Sequence, residues 1–293
     1  MGRLAMGRLA LALAAGALVV GASACGERSE PTGPASELYP VTVSVSGDRP
    51  LVLHRPARRI AVIAPSVRSL IVALGGRHLI VGAPVSPNGT VSVGALRALR
   101  PDLVVASSAT DGRELERAAK AVGGTPIYVA PDDSIRGVER AIAQLGLIMG
   151  EPAAARGLVH QIESRRQLVN ARLAGKQPVS VFLDTGFFTT VSDQSLIGDL
   201  LREARATNIA GGTPQVEPFD LGDLALANPS FYLATSDSGT TLAGLRRNRR
   251  TRKLDAISRD RFAIVDASLL APGPAVGQAI VELARLLHPD AFR

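Results

Sequence analysis

Residues 59–82 read RIAVIAPSVRSLIVALGGRHLIVG, and this stretch decides the fold. Ile60, Ala61, Val62, Ile63 and Ala64 are an apolar run closed by Pro65-Ser66. A short, wholly apolar run ending in turn residues is the pattern of a strand buried on both faces. Ser66 stands where a helix cap is expected and Gly75-Gly76 where that helix would stop, so the chain predicts a helix to Leu74. Leu79, Ile80, Val81 and Gly82 then form a second strand. Strand, helix, strand in this order predicts a parallel pair with the helix laid over one face.

The same alternation runs outward from this unit. Residues 93–99 predict a short helix, 103–106 a third strand, 114–122 a helix halted by Gly123-Gly124, and 126–130 a fourth strand. Asp132, Asp133 and Ser134 offer caps for a helix to Met149. Strands follow at 179–183, 231–234 and 262–265, with helices at 196–204 and 275–287. Upstream, Val41, Val43 and Val45 alternate with polar residues, Gly47-Asp48 turns the chain, and Leu51, Val52 and Leu53 return, a hairpin signal. Between the two sets lies 152–174, opened by Pro152 and closed by Gly175, with Leu158, Ile162, Val169 and Leu173 on one face. Some 20 helical residues would span about 30 Å. The expected fold class is α/β: two lobes, each with a mainly parallel sheet flanked by helices, joined by one long connector helix. The expected lobes are 41–150 and 176–293, with the connector at 151–175. A ligand would sit where the carboxyl ends of the strands face a cleft.

Cys25 is the one cysteine of 293 residues. Before it stand a basic start (Arg3, Arg8), an apolar stretch at 9–20 and the small residues Gly21, Ala22, Ser23 and Ala24. That is a signal peptide over 1–24 with its cleavage site, and its apolar stretch is too short to span a membrane. Cys25 is then read as a lipid anchor on the outer face of the cytoplasmic membrane; release of a free protein after the same cut is the other reading. Residues 25–40 are polar and rich in Pro, Ser and Gly, a flexible tether. The formal charge of +7 admits anionic partners. Export, 3% aromatic residues and the absence of a binding motif argue against nucleic acid.

The order of motifs resembles the helical-backbone class of substrate-binding proteins, which serve ATP-binding-cassette importers of iron–siderophores, haem and cobalamin. The resemblance covers about 58–293. It rests on Pro56-Ala57-Arg58-Arg59-Ile60 with Ala64-Pro65-Ser66 and Ala73-Leu74-Gly75, on LRALRPDLVVA at 96–106, on LALANPSFYLA at 224–234, and on the ending from Leu254 to Phe292. It implies a monomeric extracytoplasmic receptor that captures a metal chelate or cobalamin between its lobes and delivers it to permease subunits. The family often carries a docking glutamate just before each signature; Gly94 and Gly222 stand there, with Asp223 beside the second as a substitute docking charge. Those glycines support an alternative: a surface sensor or interaction protein that keeps the fold without docking.

Candidate ligand groups follow the strands, because loops there line such a cleft. In the first lobe these are Ser66, Arg68, Ser86, Ser107, Ser108, Pro131 and Asp132. In the second they are Thr185, Gly186, Phe187, Phe188, Gln215, Ser236, Asp237 and Pro272. Ser66 also reads as a helix cap. Arg68 places a cation in a helix's first turn, against the macrodipole, so it asks for an anion nearby, from the protein or from a ligand. Phe187-Phe188 is a candidate flat wall for a ring-bearing ligand, or one core ring beside an incidental one. The basic run Arg246, Arg247, Arg249, Arg250, Arg252 and Lys253 reads as a solvated helix face. His54, His78, His160 and His288 are scattered, so no bound metal and no cofactor is expected; a metal would arrive inside a chelator. No phosphate loop, nucleophile elbow or paired-histidine helix motif is present, and no enzyme is expected. Asp184-Thr185-Gly186 matches the aspartic-protease tripeptide inside an α/β pattern foreign to that class.

Overall fold

The structure, a computed structural model, describes residues 38–43, 50–212 and 217–293. Cys25, the signal peptide, the tether up to residue 37, the Gly47-Asp48 turn and Gln215 lie outside the described residues. Val41–Val43 (β1) and Leu51–Leu53 (β2) pair antiparallel, with Val41 opposite Leu53. The first lobe follows as Ile60–Val62 (β3), Pro65–Ala73 (α1), Ile80–Gly82 (β4), Val93–Leu99 (α2), Leu103–Ser107 (β5), Gly112–Val122 (α3), Ile127–Ala130 (β6) and Ile135–Met149 (α4). Its four strands lie in the order β4-β3-β5-β6, all parallel. Every residue of β3 and β5 is buried, as parallel strands covered on both faces require.

Pro152–Arg172 (α5) is the connector, 21 residues long. The second lobe comprises Val179–Asp184 (β7), Leu196–Glu203 (α6), Ala206–Asn208 (β8), Leu221–Ala227 (α7), Phe231–Thr235 (β9), Leu242–Arg247 (α8), Asp255–Ser258 (α9), Phe262–Val265 (β10), Ala267–Leu270 (α10) and Val276–Leu287 (α11). Its sheet runs β10-β9-β7-β8, again all parallel. The fold class is the expected one.

The apolar core explains how the lobes hold together. One continuous cluster takes in Val62 and Val105 from the first sheet, Ile142 and Leu145 of α4, Ile162 and Val169 of α5, Leu200 of α6, Ile280 and Leu283 of α11, and Val181 and Leu233 of the second sheet. One face of each sheet therefore packs on a shared helical spine, with α5 against both α4 and α11. The opposite faces have separate cores: Ala61, Val104, Leu96 and Ala118 in the first lobe, Phe182, Tyr232, Leu224 and Ile257 in the second. Polar contacts reinforce the spine. Arg166 of α5 reaches Glu203 of α6 at 2.7 Å and Glu139 of α4 at 3.4 Å. Asp199 of α6 accepts from the Ile135 amide at the start of α4, at 3.2 Å.

Two local expectations are corrected. α1 starts at Pro65, two residues earlier than a cap at Ser66 implies, with Ala64 in the extended cap position and no side-chain cap. Proline's fixed φ suits the first helical position, which leaves the Ser66 hydroxyl free to bond elsewhere. β8 was not foreseen. It is a three-residue edge strand, paired only to β7, whose Ala-Thr-Asn sequence carries no apolar run. Ser134 does cap α4, through the Gly137 amide, and Gly123 ends α3 in the left-handed conformation.

Candidate ligand-binding cleft

In a parallel sheet every strand delivers its carboxyl end to the same edge, so the loops leaving those ends gather. In the first lobe the loops after β3, β5 and β6 supply Ile63, Ala64, Ser66, Ser107 and Asp132 to a cavity of about 740 Å³. In the second, the loops after β7, β9 and β10 supply Thr185, Thr235, Asp237 and Ala267, joined by Leu196 and Leu270, to a cavity of about 420 Å³. Asp132 of the first lobe and Pro272 of the second line both cavities. The two are halves of one inter-lobe cleft, and each is of the size that small-molecule sites occupy.

Asp132 organises the first-lobe wall. It is 3% exposed, yet its carboxylate is well satisfied. Oδ2 accepts from the Ser66 hydroxyl at 2.9 Å; Oδ1 accepts from the Ser108 amide at 3.1 Å and the Ser108 hydroxyl at 2.6 Å. Three of the sequence-derived candidates therefore converge on one point. Their polar atoms are turned toward each other and present a fixed wall. Tyr128 lies beneath, its hydroxyl donating to Gln144 at 2.7 Å. Burial, then the Asp132 charge, push its phenol well above the ordinary tyrosine value.

Asp184, at the end of β7, organises the second-lobe wall. It is fully buried. Oδ1 accepts from the Gly186 amide at 2.8 Å and the Phe188 amide at 3.2 Å; Oδ2 accepts from the Tyr232 and Thr240 hydroxyls, each at 2.7 Å. This network closes a tight turn over Gly186, Phe187, Phe188 and Thr189, in which the Thr189 amide donates to the Gly186 carbonyl. Phe187 and Phe188 both have positive φ, 52° and 63°. Two aromatic residues in the left-handed region are costly and persist only where surroundings over-determine them. Here the buried carboxylate does so. Phe188 packs on the second-lobe core, while Phe187 is 87% exposed. Burial, then the Asp184 charge and its hydrogen bond, hold the Tyr232 phenol protonated far above its usual range.

The remaining candidates fall at varied distances from the cleft. Arg68 lies exposed on α1 and lines neither cavity. Ser86 bonds to Asn88 and Thr90, which are on the rim, without lining it. Ser236 accepts from the Ala267 amide at 3.1 Å, just outside the second-lobe cavity. Asp223 is exposed in the first turn of α7. Arg246 of the basic run pairs with Asp260. Sequence reasoning missed Asp133, read only as a cap, and the apolar contributors Val191, Leu196 and Leu270, which look like ordinary core residues until the lobes are brought together. It also missed Arg113 and Arg117 of α3. Among the described residues no group of three or more His, Cys, Asp and Glu could hold a metal ion, and no helix is long and apolar enough to cross a membrane.

Comparisons with known proteins agree with this geometry. The family described as Periplasmic binding protein matches residues 75–269. No curated protein sequence matches the chain. Among solved structures, CeuE of Helicobacter pylori with Ni(II) bound is similar at a TM-score of 0.74 and 16% identity, over 86% of this chain and 90% of that one. The periplasmic vitamin B12 binding protein BtuF of Vibrio cholerae is similar at 0.68 and 17%, over 81% and 99%. The periplasmic heme-binding protein RhuT from Roseiflexus sp. RS-1 is similar at 0.67 and 18%, over 80% and 99%. At these identities the structural likeness speaks to the fold, and the family match carries the assignment: the chain belongs to the periplasmic binding protein family, and with it to exported solute-binding proteins rather than to enzymes.

Proposed function

We propose that this protein captures a metal chelate, an iron–siderophore or haem, or cobalamin, in the inter-lobe cleft and hands it to the permease of an ATP-binding-cassette importer. The observation that carries the reading is the cleft itself, walled from both sheets at their carboxyl ends and joined through Asp132 and Pro272. The ligands named for structural neighbours, vitamin B12 and heme, support the class. Neither half of the cleft is lined by histidine, tyrosine, methionine or cysteine among the described residues. The cleft therefore favours a metal whose coordination is already complete over one needing an axial ligand from the protein. Phe187, exposed on the fixed turn after β7 and lining neither cavity, is the apolar wall offered to a ring-bearing ligand, and Ser66 and Ser108 keep Asp132 in place.

Cys25 tethers the mature chain by a lipid, and the protein works as a monomer on the outer face of the cytoplasmic membrane. Asp223, in the first turn of α7 with Asp220 capping that helix just before it, offers the second-lobe docking charge. On the first lobe, α2 carries no acid in its first turn, and Gly94 there is exposed. That asymmetry is the observation favouring the second reading, a sensor or interaction protein that binds the ligand without docking.

Titration with a panel of ferric siderophores, haem and cobalamin tests the reading. Tyrosine fluorescence, the only strong intrinsic signal in a chain without tryptophan, is expected to be quenched by one of them at micromolar concentration. Silence across the panel overturns it. Mass spectrometry of the mature amino terminus tests the anchor: an unmodified Cys25 removes it.

A further inference from the structure

The charge of the cleft runs against the charge of the chain. The protein carries a formal +7. Among its described lining residues the cleft nevertheless gathers Asp111, Glu114, Asp132, Asp133 and Asp237 against only Arg113 and Arg117. Arg117 is already engaged, its Nε 3.6 Å from Glu114. The second-lobe half has no Arg, Lys or His among its described lining residues, and three aspartates. Of these Asp132 is spent on Ser66 and Ser108, as described above. Asp133 from the first lobe and Asp237 from the second are exposed in the same cavity, and no salt bridge among the described residues involves either.

We propose, on the reading of the cleft given above, that it selects a ligand carrying positive charge on an apolar body. A guest that fills the cavity strips water from both carboxylates, which is costly unless an opposite charge replaces it. A cation between the lobes meets both; an anion meets like charge on two sides. The rest of the lining fits the other half of such a molecule, since Leu196, Ile197, Leu270 and Pro272 give it an apolar floor. Thr235 supplies an independent sign that a polar ligand group belongs here. It lines the cavity at 4% exposure, and its hydroxyl oxygen has no hydrogen-bond partner. Buried hydroxyls are rarely left so. A bare metal ion does not fit, because the imidazole and thiolate ligands it would want are absent from the described lining. The cation is an ammonium-bearing molecule or a chelate of net positive charge.

Calorimetric titration of the full chain with two matched pairs tests this. One pair is ferric desferrioxamine B, whose free amine is protonated, and the same complex with that amine acetylated. The other is octyltrimethylammonium and octanoate. The cationic member of at least one pair is expected to bind about tenfold tighter or more, with a preference that shrinks as salt is raised. Asp237→Asn, which removes a charge without disturbing any contact described here, is expected to abolish most of that preference, as is Asp133→Asn. Equal affinities, tighter binding of the neutral or anionic member, a preference untouched by both variants, or no binding of either cation up to about 1 mM overturns the proposal. Preference confined to the octyl pair, with no chelate bound by the protein, sinks the chelate-receptor reading and leaves this one. Chelates bound regardless of charge do the reverse.

Discussion

Asp184 shows at the scale of one residue how a buried carboxylate can be structural. Its four hydrogen bonds fix a turn, a tyrosine and a threonine at once. Asp184→Ala strands the Tyr232 hydroxyl and two amides in a dry interior, and is expected to cost about 3–5 kcal/mol in denaturant unfolding. Phe187 is the complementary case. It is largely exposed with a positive φ, so Phe187→Gly relieves left-handed strain and loses little burial; a gain of roughly 0.5–1 kcal/mol is expected. The same variant is expected to weaken ligand binding if the ring is the wall proposed for it, so stability and affinity should move in opposite directions. The chain's three tyrosines give a pH prediction. Tyr39, Tyr128 and Tyr232 are all held above their ordinary value of 10.0, burial being the largest cause each time. Folding then binds protons that the unfolded chain releases, so this stability is complete below about pH 10 and is lost as pH rises beyond it. Phenolate absorbance is expected to appear together with unfolding; a phenol titrating normally in the folded protein contradicts the account. From the sequence, Asp184 was legible only as part of a misleading tripeptide, because nothing local marks a carboxylate two of whose four partners lie 48 and 56 residues away.

Elements were read more readily than their joints. The apolar runs of β3 and β5, the glycine stops and the proline start of α5 mark themselves, since burial on both faces and left-handed caps demand particular residues. β8 and the short helices α9 and α10 did not, because three or four residues carry no period. The helical spine was also hidden: α5 reads as one apolar stripe, and only the structure shows it wedged between α4 and α11 with Arg166 clasping both lobes. Arg166→Ala leaves Glu139 and Glu203 without their shared cation. A loss of about 1–3 kcal/mol is expected, reduced when both glutamates are also made glutamine. A larger core test is Gly146 in α4, where an added Cβ would lie 2.4 Å from Ala155 Cβ. Gly146→Ala is expected to pry α4 from α5 and destabilise by about 1–3 kcal/mol, read as a lower unfolding midpoint.

The whole molecule is two sheets whose strand ends share one cleft, backed by a core that continues from lobe to lobe. A shared spine resists hinge motion, so small-angle scattering is expected to show the radius of gyration of residues 38–293 changing by less than about 1 Å on ligand binding. The cleft's existence was legible from two α/β sets and a long helix between them. Its acidity was not, because Asp133 and Asp237 come to line one cavity only when the lobes are set face to face. The central claim is that ligand is held by both walls of this cleft. Hydrogen exchange read by mass spectrometry, with and without a bound ligand, tests it most directly. Slowed exchange is predicted together in 107–114 and 131–135 of one lobe and in 185–197, 235–240 and 267–272 of the other. Slowing confined to a single lobe, or found only outside these segments, would contradict it.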